Sequence, residues 1–244
     1  YPVMAAIGAA LREKTLPLWT PAMFGGYPLL ADGGIGPLYP PHLLLLRLLS
    51  PEQALIWLRV LHLFLASVFA YHYVRMLGLS RFAAALGGIA YAYAGFFVAQ
   101  TVHANLAEAA VWLPLALCGV EWARRGRYWA GIVVAGVALG FQALAIHINI
   151  TLMSGLLVGL YTPAVFVLPP PQAAAAGTAV WRPTAVARRL LAGCAALVVI
   201  GAIGFGLSAV QLLPLYELGT TSFRSRGLAP GFAAVNSVAP INLL

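Results

Sequence analysis

The side chains in this chain with the most chemical capacity are Asp32, His103, Glu108, His147, Glu217 and Arg224. Glu108 lies in HANLAEAAVWLPL, five residues after His103 and three after Asn105. A helix that starts early puts Asn105 and Glu108 on one face. An acid beside so apolar a run either belongs to a site or is a carboxylate that snorkels or pairs with an amide near an interface. His147, in the corner His147-Ile148-Asn149, either binds an anionic group or caps a helix. Glu217 precedes GTTSFRSR, which brings together hydroxyls, the Gly219 amide and the guanidiniums of Arg224 and Arg226. Arginine forks match phosphate oxygens, so Arg224 is a candidate phosphate contact. Arg59 and His62, three apart in an apolar run, share a face, and Arg59 reaches headgroups or a lipid phosphate.

These residues sit in a chain that cannot face water. Of its 244 residues 62% are hydrophobic and 8% charged, with a mean hydropathy of +0.90. A soluble domain carries about 25% charged residues. Lys and Arg number 14 against 6 Asp and Glu, for a formal charge of +8. With no basic run interleaved with aromatics, that excess marks cytoplasmic loops rather than nucleic-acid binding. Cys118 and Cys194 fall inside apolar stretches at no metal-binding spacing and are expected in the core. There is no zinc spacing, phosphate-binding loop, nucleophile elbow or dinucleotide fingerprint. No cofactor motif is visible, which leaves the cofactor unknown and a divalent metal open.

The order of elements is legible. Residues 1–14 read as a short amphipathic helix. Leu16 to Pro41, LPLWTPAMFGGYPLLADGGIGPLYPP, is too rich in glycine and proline for a helix or strand, yet its Trp19, Phe24, Tyr27, Leu29 and Tyr39 are residues that pack. It is expected to be a structured loop over the mouth of a membrane domain, with Asp32 deep within it. HLLLLRLL is too short to span. Ser50-Pro51-Glu52-Gln53 reads as a capped helix start.

Six spans follow, at 54–77, 82–99, 106–122, 128–146, 150–168 and 186–213, each to be judged against the roughly 20 residues a bilayer needs. The predicted fold is therefore all-α, a polytopic helical bundle. Its divisions are 1–50 (loop and short helices), 51–213 (transmembrane domain, with a cytoplasmic linker at 169–183) and 214–244 (loop). With Leu77 inside, the inner side holds Arg75, Arg81, Arg124, Arg125, Arg127, Arg182, Arg188 and Arg189 in short loops close to span ends, against Arg12, Lys14, Arg47, Arg59, Arg224 and Arg226 outside. Asp32, His103, Glu108, His147, Glu217 and Arg224 then collect outside. Glu121 is expected to pair with Arg124 and Arg125 inside.

The ordered segments LPLWTPAMFGGYPLLADGGIGPLYPP, LHLFLASVFAYHYVRMLGLSRFAAALGGIAYAYAGFF, HANLAEAAVWLPLAL and QLLPLYELGTTSFRSR resemble the bacterial YfhO-type membrane proteins, within the wider GT-C group of polytopic glycosyltransferases. The resemblance runs from Leu16 to about Arg226. Its more specific parts are the Trp-x-Pro-x-x-x-Gly-Gly-x-Pro loop, Trp112-Leu113-Pro114, and Leu213-Pro214…Glu217…Ser222-x-Arg224. It implies a transferase in the bacterial cytoplasmic membrane, active on the outer face. A sugar would pass from a polyprenyl-phosphate donor to an envelope acceptor.

In such enzymes an acid in the first outer loop is the general base, and arginine or histidine holds the phosphate leaving group. That acid is expected just upstream of a Tyr-x-Pro-like segment, here where Tyr1-Pro2 begins. The chain thus reads as an incomplete piece with the base before residue 1 and Asp32 as the candidate within it. Arg224, His147 and His103 are expected at the phosphate, and Glu108, Glu217 and Asp32 at donor or acceptor. The competing readings are a transporter or flippase for a lipid-linked or anionic solute, which calls for an inverted repeat not seen here, and a non-enzymatic scaffold in a membrane complex.

Overall fold

The computed structural model describes residues 2–100, 103–169, 174–178 and 181–222. Within them the fold is helical, with one isolated antiparallel bridge between Thr20 and Tyr27. The helices are α1 (Pro2–Arg12), α2 (Pro40–Leu48), α3 (Pro51–Met76), α4 (Arg81–Ala92), α5 (Gly95–Ala99), α6 (Ala104–Ala110), α7 (Leu113–Arg124), α8 (Tyr128–Leu144), α9 (Ile148–Val167) and α10 (Pro183–Thr221). Five helical stretches are long and apolar enough to cross a membrane: α3, α4 with α5, α6 with α7, α9 and α10. The 17-residue α8 is shorter but apolar, and it is buried between α7 and α10.

Local chemistry sets the boundaries. Ser50 starts α3 with a full capping box, its hydroxyl accepting from the Gln53 amide while the Gln53 side chain accepts from the Ser50 amide. Ser80 caps α4 with its hydroxyl alone, which accepts from the Ala83 amide. Two expected spans are broken. The 82–99 span divides at Tyr93 and Ala94, and the 106–122 span divides at Val111 and Trp112. Pro114 explains the second break, since it has no N–H to offer the Ala110 carbonyl. The Tyr91 hydroxyl donates to that carbonyl instead, at 2.8 Å.

The last helix differs from expectation in the other direction. The chain from Pro214 was expected to be loop, but α10 continues through Pro214 to Thr221, 39 residues in all. Proline is tolerated inside apolar helices, where the freed carbonyl is easily accommodated.

The bundle is held by close approach of small residues. A Cβ on Gly119 would stand 2.6 Å from both the Ala135 nitrogen and the Gly131 carbonyl, and one on Gly131 would collide with the Ala123 nitrogen and the Gly119 carbonyl. The α7 and α8 backbones therefore touch. On its other side α8 presents Gly136 and Gly140, spaced four apart, to Ile203, Gly204 and Leu207 of α10. The elements alternate in direction. One end of the bundle carries the 13–39 loop and α2, and the other carries the turns around Leu77, Gly126 and Pro169.

Gly131→Ala should destabilise the bundle by about 1–3 kcal/mol through backbone overlap. Gly155→Ala on α9, where a Cβ meets nothing within 4 Å, should be neutral or stabilising by up to about 1 kcal/mol. Thermal unfolding in detergent compares them directly; equal midpoints would contradict the packing described.

Candidate functional site

At the loop end, five polar side chains from four parts of the chain meet in a buried network. The loop is pinned there by its backbone: a Cβ on Gly36 would overlap the Leu144 carbonyl at the end of α8, so only glycine fits. The Gly36 carbonyl in turn accepts from Nδ1 of His42 on α2, at 2.7 Å. Nε2 of His42 faces both carboxylate oxygens of Glu108 on α6, at 3.1 and 3.2 Å. Tyr39, just before α2, lies between His62 of α3 and Trp112, which caps the start of α7. All five side chains are buried.

The positions of the protons follow from the partners. A carbonyl only accepts, so His62 Nδ1 carries the hydrogen it gives to Leu58 at 2.6 Å. Its Nε2 then accepts from the Tyr39 hydroxyl at 2.7 Å, and the Tyr39 oxygen accepts from Trp112 Nε1–H at 2.8 Å. The Tyr39 ring lies nearly parallel to His62 (27°) and edge-on to Trp112 (89°). By the same logic His42 Nδ1 carries a hydrogen to Gly36. Its Nε2 and the Glu108 carboxylate would both be bare acceptors unless a proton sits between them, so this pair holds one shared proton.

Burial works against a charged His42 ring, but the Glu108 carboxylate, its hydrogen bond and the Gly36 carbonyl together hold its pKa above the ordinary value. Burial and then the Glu108 charge push the Tyr39 phenol up, and it keeps its proton.

The network backs onto a cavity of about 210 Å³ between α3, α5 and α6. Leu55, Leu58, Leu63, Phe97 and Val98 make most of its wall apolar, and Arg59, His62, Gln100 and Glu108 are the polar exceptions. Ala104 and Ala107 flank Glu108 on its own helix and leave space before it. Arg59 is exposed on the flank of the bundle, and Tyr93 and Val98 are exposed beside it. It stands eight residues into α3, about 12 Å along the axis from Pro51.

The sequence candidates divide between this site and its surroundings. Glu108 is at the centre. Asp32 lies in the loop, where its Oδ1 accepts from the Tyr27 hydroxyl and the Gly34 amide, both at 3.0 Å. It does not line the cavity. Burial and this bond raise the Tyr27 pKa.

His103 precedes α6 and is exposed, contacting the Gln100 side chain at 3.1 Å. His147 caps α9, accepting from the Ile150 amide at 3.3 Å. The two histidines are close enough that His103, after burial, helps lower the His147 pKa. Asn105 ties α6 to that corner through the carbonyl of Ile146, a β-branched residue in the left-handed region (φ 56°). Glu217 is exposed near the end of α10. Arg224 lies outside the described residues. His42 was missed, because a single histidine in PPHLLLLRLL carries no spacing signal. Among the described residues no group of three or more His, Cys, Asp or Glu could hold a metal ion.

Comparison with family models, curated proteins and solved structures gives no match. The reading of the site therefore rests on its own geometry.

Tyr39→Phe should cost about 1–3 kcal/mol, since it leaves His62 Nε2 and Trp112 Nε1–H buried without a partner. The raised His42 pKa has a signed consequence. Its stabilisation is fully present below the unfolded value of about 6.5 and is lost as pH rises through the folded value. Thermal midpoints should fall over that window in the wild type and less in His42→Gln, and parallel curves would remove His42 as the titrating group.

Proposed function

We propose that this chain is a GT-C-like membrane glycosyltransferase of the YfhO type. It transfers a sugar from a polyprenyl-phosphate donor to an envelope acceptor at the outer face of the bacterial cytoplasmic membrane. The observation that carries the reading is the cavity. Its wall is apolar enough for the start of a prenyl chain, it opens on the flank of the bundle, and it carries an exposed arginine and a buried carboxylate. Among the described residues Arg59 has no carboxylate partner, which leaves its guanidinium free to take two phosphate oxygens.

The sidedness fits the same reading. Arg75, Arg81, Arg124, Arg125, Arg127, Arg182, Arg188 and Arg189 belong to the end opposite the cavity, as expected of the cytoplasmic side. In the proposed roles, Arg59 holds the donor phosphate, and His103 and His147, near each other but outside the cavity lining, contact the headgroup or acceptor. Glu217, Asp32 and Arg224 remain candidate contacts from the resemblance.

The binding test uses protein in nanodiscs titrated with polyprenyl phosphate. Arg59→Ala should weaken binding about tenfold or more, the equivalent of about 1.4 kcal/mol or more. Arg47→Ala, an exposed cation on α2, should leave it unchanged. Equal binding by wild type and Arg59→Ala would reject the phosphate site.

A further inference from the structure

We propose that the 18–30 hairpin of the loop, tipped by Trp19 and Phe24, is a lipid anchor. It rests in the leaflet at the loop end of the bundle, among headgroups and the first carbons of the acyl chains. The anchor needs a bilayer and no sugar substrate, so it is independent of the transferase reading.

The hairpin is built to display its tip. Thr20 and Tyr27 exchange two backbone hydrogen bonds, at 2.9 and 2.8 Å, and the Leu30 amide donates to the Leu18 carbonyl at 3.2 Å. The Trp19 ring lies so close over Gly26 that a Cβ there would stand 2.3 Å from it. Phe24 turns the chain at φ 52°, a left-handed conformation that a bulky aromatic rarely adopts. Such a conformation persists only when its surroundings hold it. Its outcome is a phenyl ring 92% exposed, with Leu16, Leu18 and Trp19 exposed in the same loop. Large apolar side chains gathered in the open mark a contact surface.

Packing sets the level of that surface against the bundle. The inner side of the hairpin, Met23, Tyr27 and Leu29, belongs to a cluster with Leu46 of α2 and Ala54 and Leu58 of α3. Met23 precedes Phe24 directly, so the tip begins beside the first two turns of α3, within about 10 Å of the Pro51 end. Arg12 brings the end of α1 to the same level, donating to the carbonyls of Leu46 and Leu49 just before the Ser50 cap.

Those turns of α3, a helix long and apolar enough to span, expose Ile56 and Trp57 on the flank of the bundle. The exposed hairpin continues that apolar surface at the same level. Interfacial elements bury their apolar side chains about 5–10 Å into the boundary between headgroups and acyl chains. Tryptophan is enriched at that depth. Lys14, exposed where α1 meets the loop, suits a lipid phosphate.

The test attaches an environment-sensitive fluorophore at Phe24→Cys in a Cys194→Ala background, where the remaining Cys118 is buried. The full chain is then placed in phosphatidylcholine nanodiscs. A lipid carrying a nitroxide just below its headgroup should quench the fluorophore by about half or more, as for an interfacial group. Iodide in the water should quench it several-fold less than it quenches free labelled cysteine. A nitroxide deep in the acyl chain should act more strongly on a label at Phe64→Cys, exposed further along α3. A label at residue 24 that iodide reaches and the shallow nitroxide does not overturns the anchor. Protection from both quenchers means that a second copy of this chain covers the tip, and overturns it as well. If the labelled variant fails to fold, tryptophan emission decides: brominated lipid should quench the wild type more than Trp19→Phe, and equal quenching overturns the anchor.

Discussion

The constraint on which this structure depends is that a carboxylate placed between helices must be neutralised on the spot. Glu108 is 3% exposed, in a setting where an unpaired charge costs several kcal/mol. Among the described residues the side chain that reaches its oxygens is His42, from a short helix that does not itself cross the bundle. For that reach to exist, Gly36 must lie against the end of α8, Pro40 and Pro41 must start α2, and Tyr39 must fill the space between His62 and Trp112. The position of the loop is thus decided by the electrostatics of one acid on α6.

A second buried acid shows what the first is not. At the opposite end Glu121 receives Arg124 at 2.8 Å, Arg125 at 3.2 Å and the Tyr161 hydroxyl at 2.8 Å, and Tyr73 donates to Tyr161. Arg125 also donates to the Met76 carbonyl and Arg124 to that of Pro169. This closed arrangement ties α3, α7 and α9 together. Glu108 has one partner and open space on its other side. The same residue type serves as a tie in one place and as an available acceptor in the other, and the difference lies in how many donors converge on it.

Much of the fold was legible because its signals are local. Ser50-Pro51-Glu52-Gln53 encodes a capping box, Ser80 a cap, and the apolar runs their helices, whatever surrounds them. The Glu121 pairing was readable from spacings of three and four. The Glu108 site was only half legible. Its acid stood out against an apolar background, and Arg59 and His62 shared a visible face, but the partner is 66 residues away in sequence and reaches Glu108 only through the path of the loop. The extension of α10 was hidden for a different reason. Pro214 and Gly219 read as terminators, whereas in an apolar setting continuing the helix satisfies more backbone groups than a loop would. The Gly119–Gly131 contact was equally invisible, because close backbone approach has no signature in either helix alone.

The length of α10 bears on how the whole assembly sits in lipid. A 39-residue helix extends about 58 Å, nearly twice the roughly 30 Å of hydrocarbon in a bilayer. Its guanidiniums at Arg188 and Arg189 and its carboxylate at Glu217 resist entering that layer, and about 42 Å of helix separates Arg189 from Glu217. Such a rod has to lean or protrude. Because Gly136 and Gly140 clasp it to α8, any lean is imposed on the bundle as a unit, which makes membrane thickness a variable that acts on the packing of the entire protein.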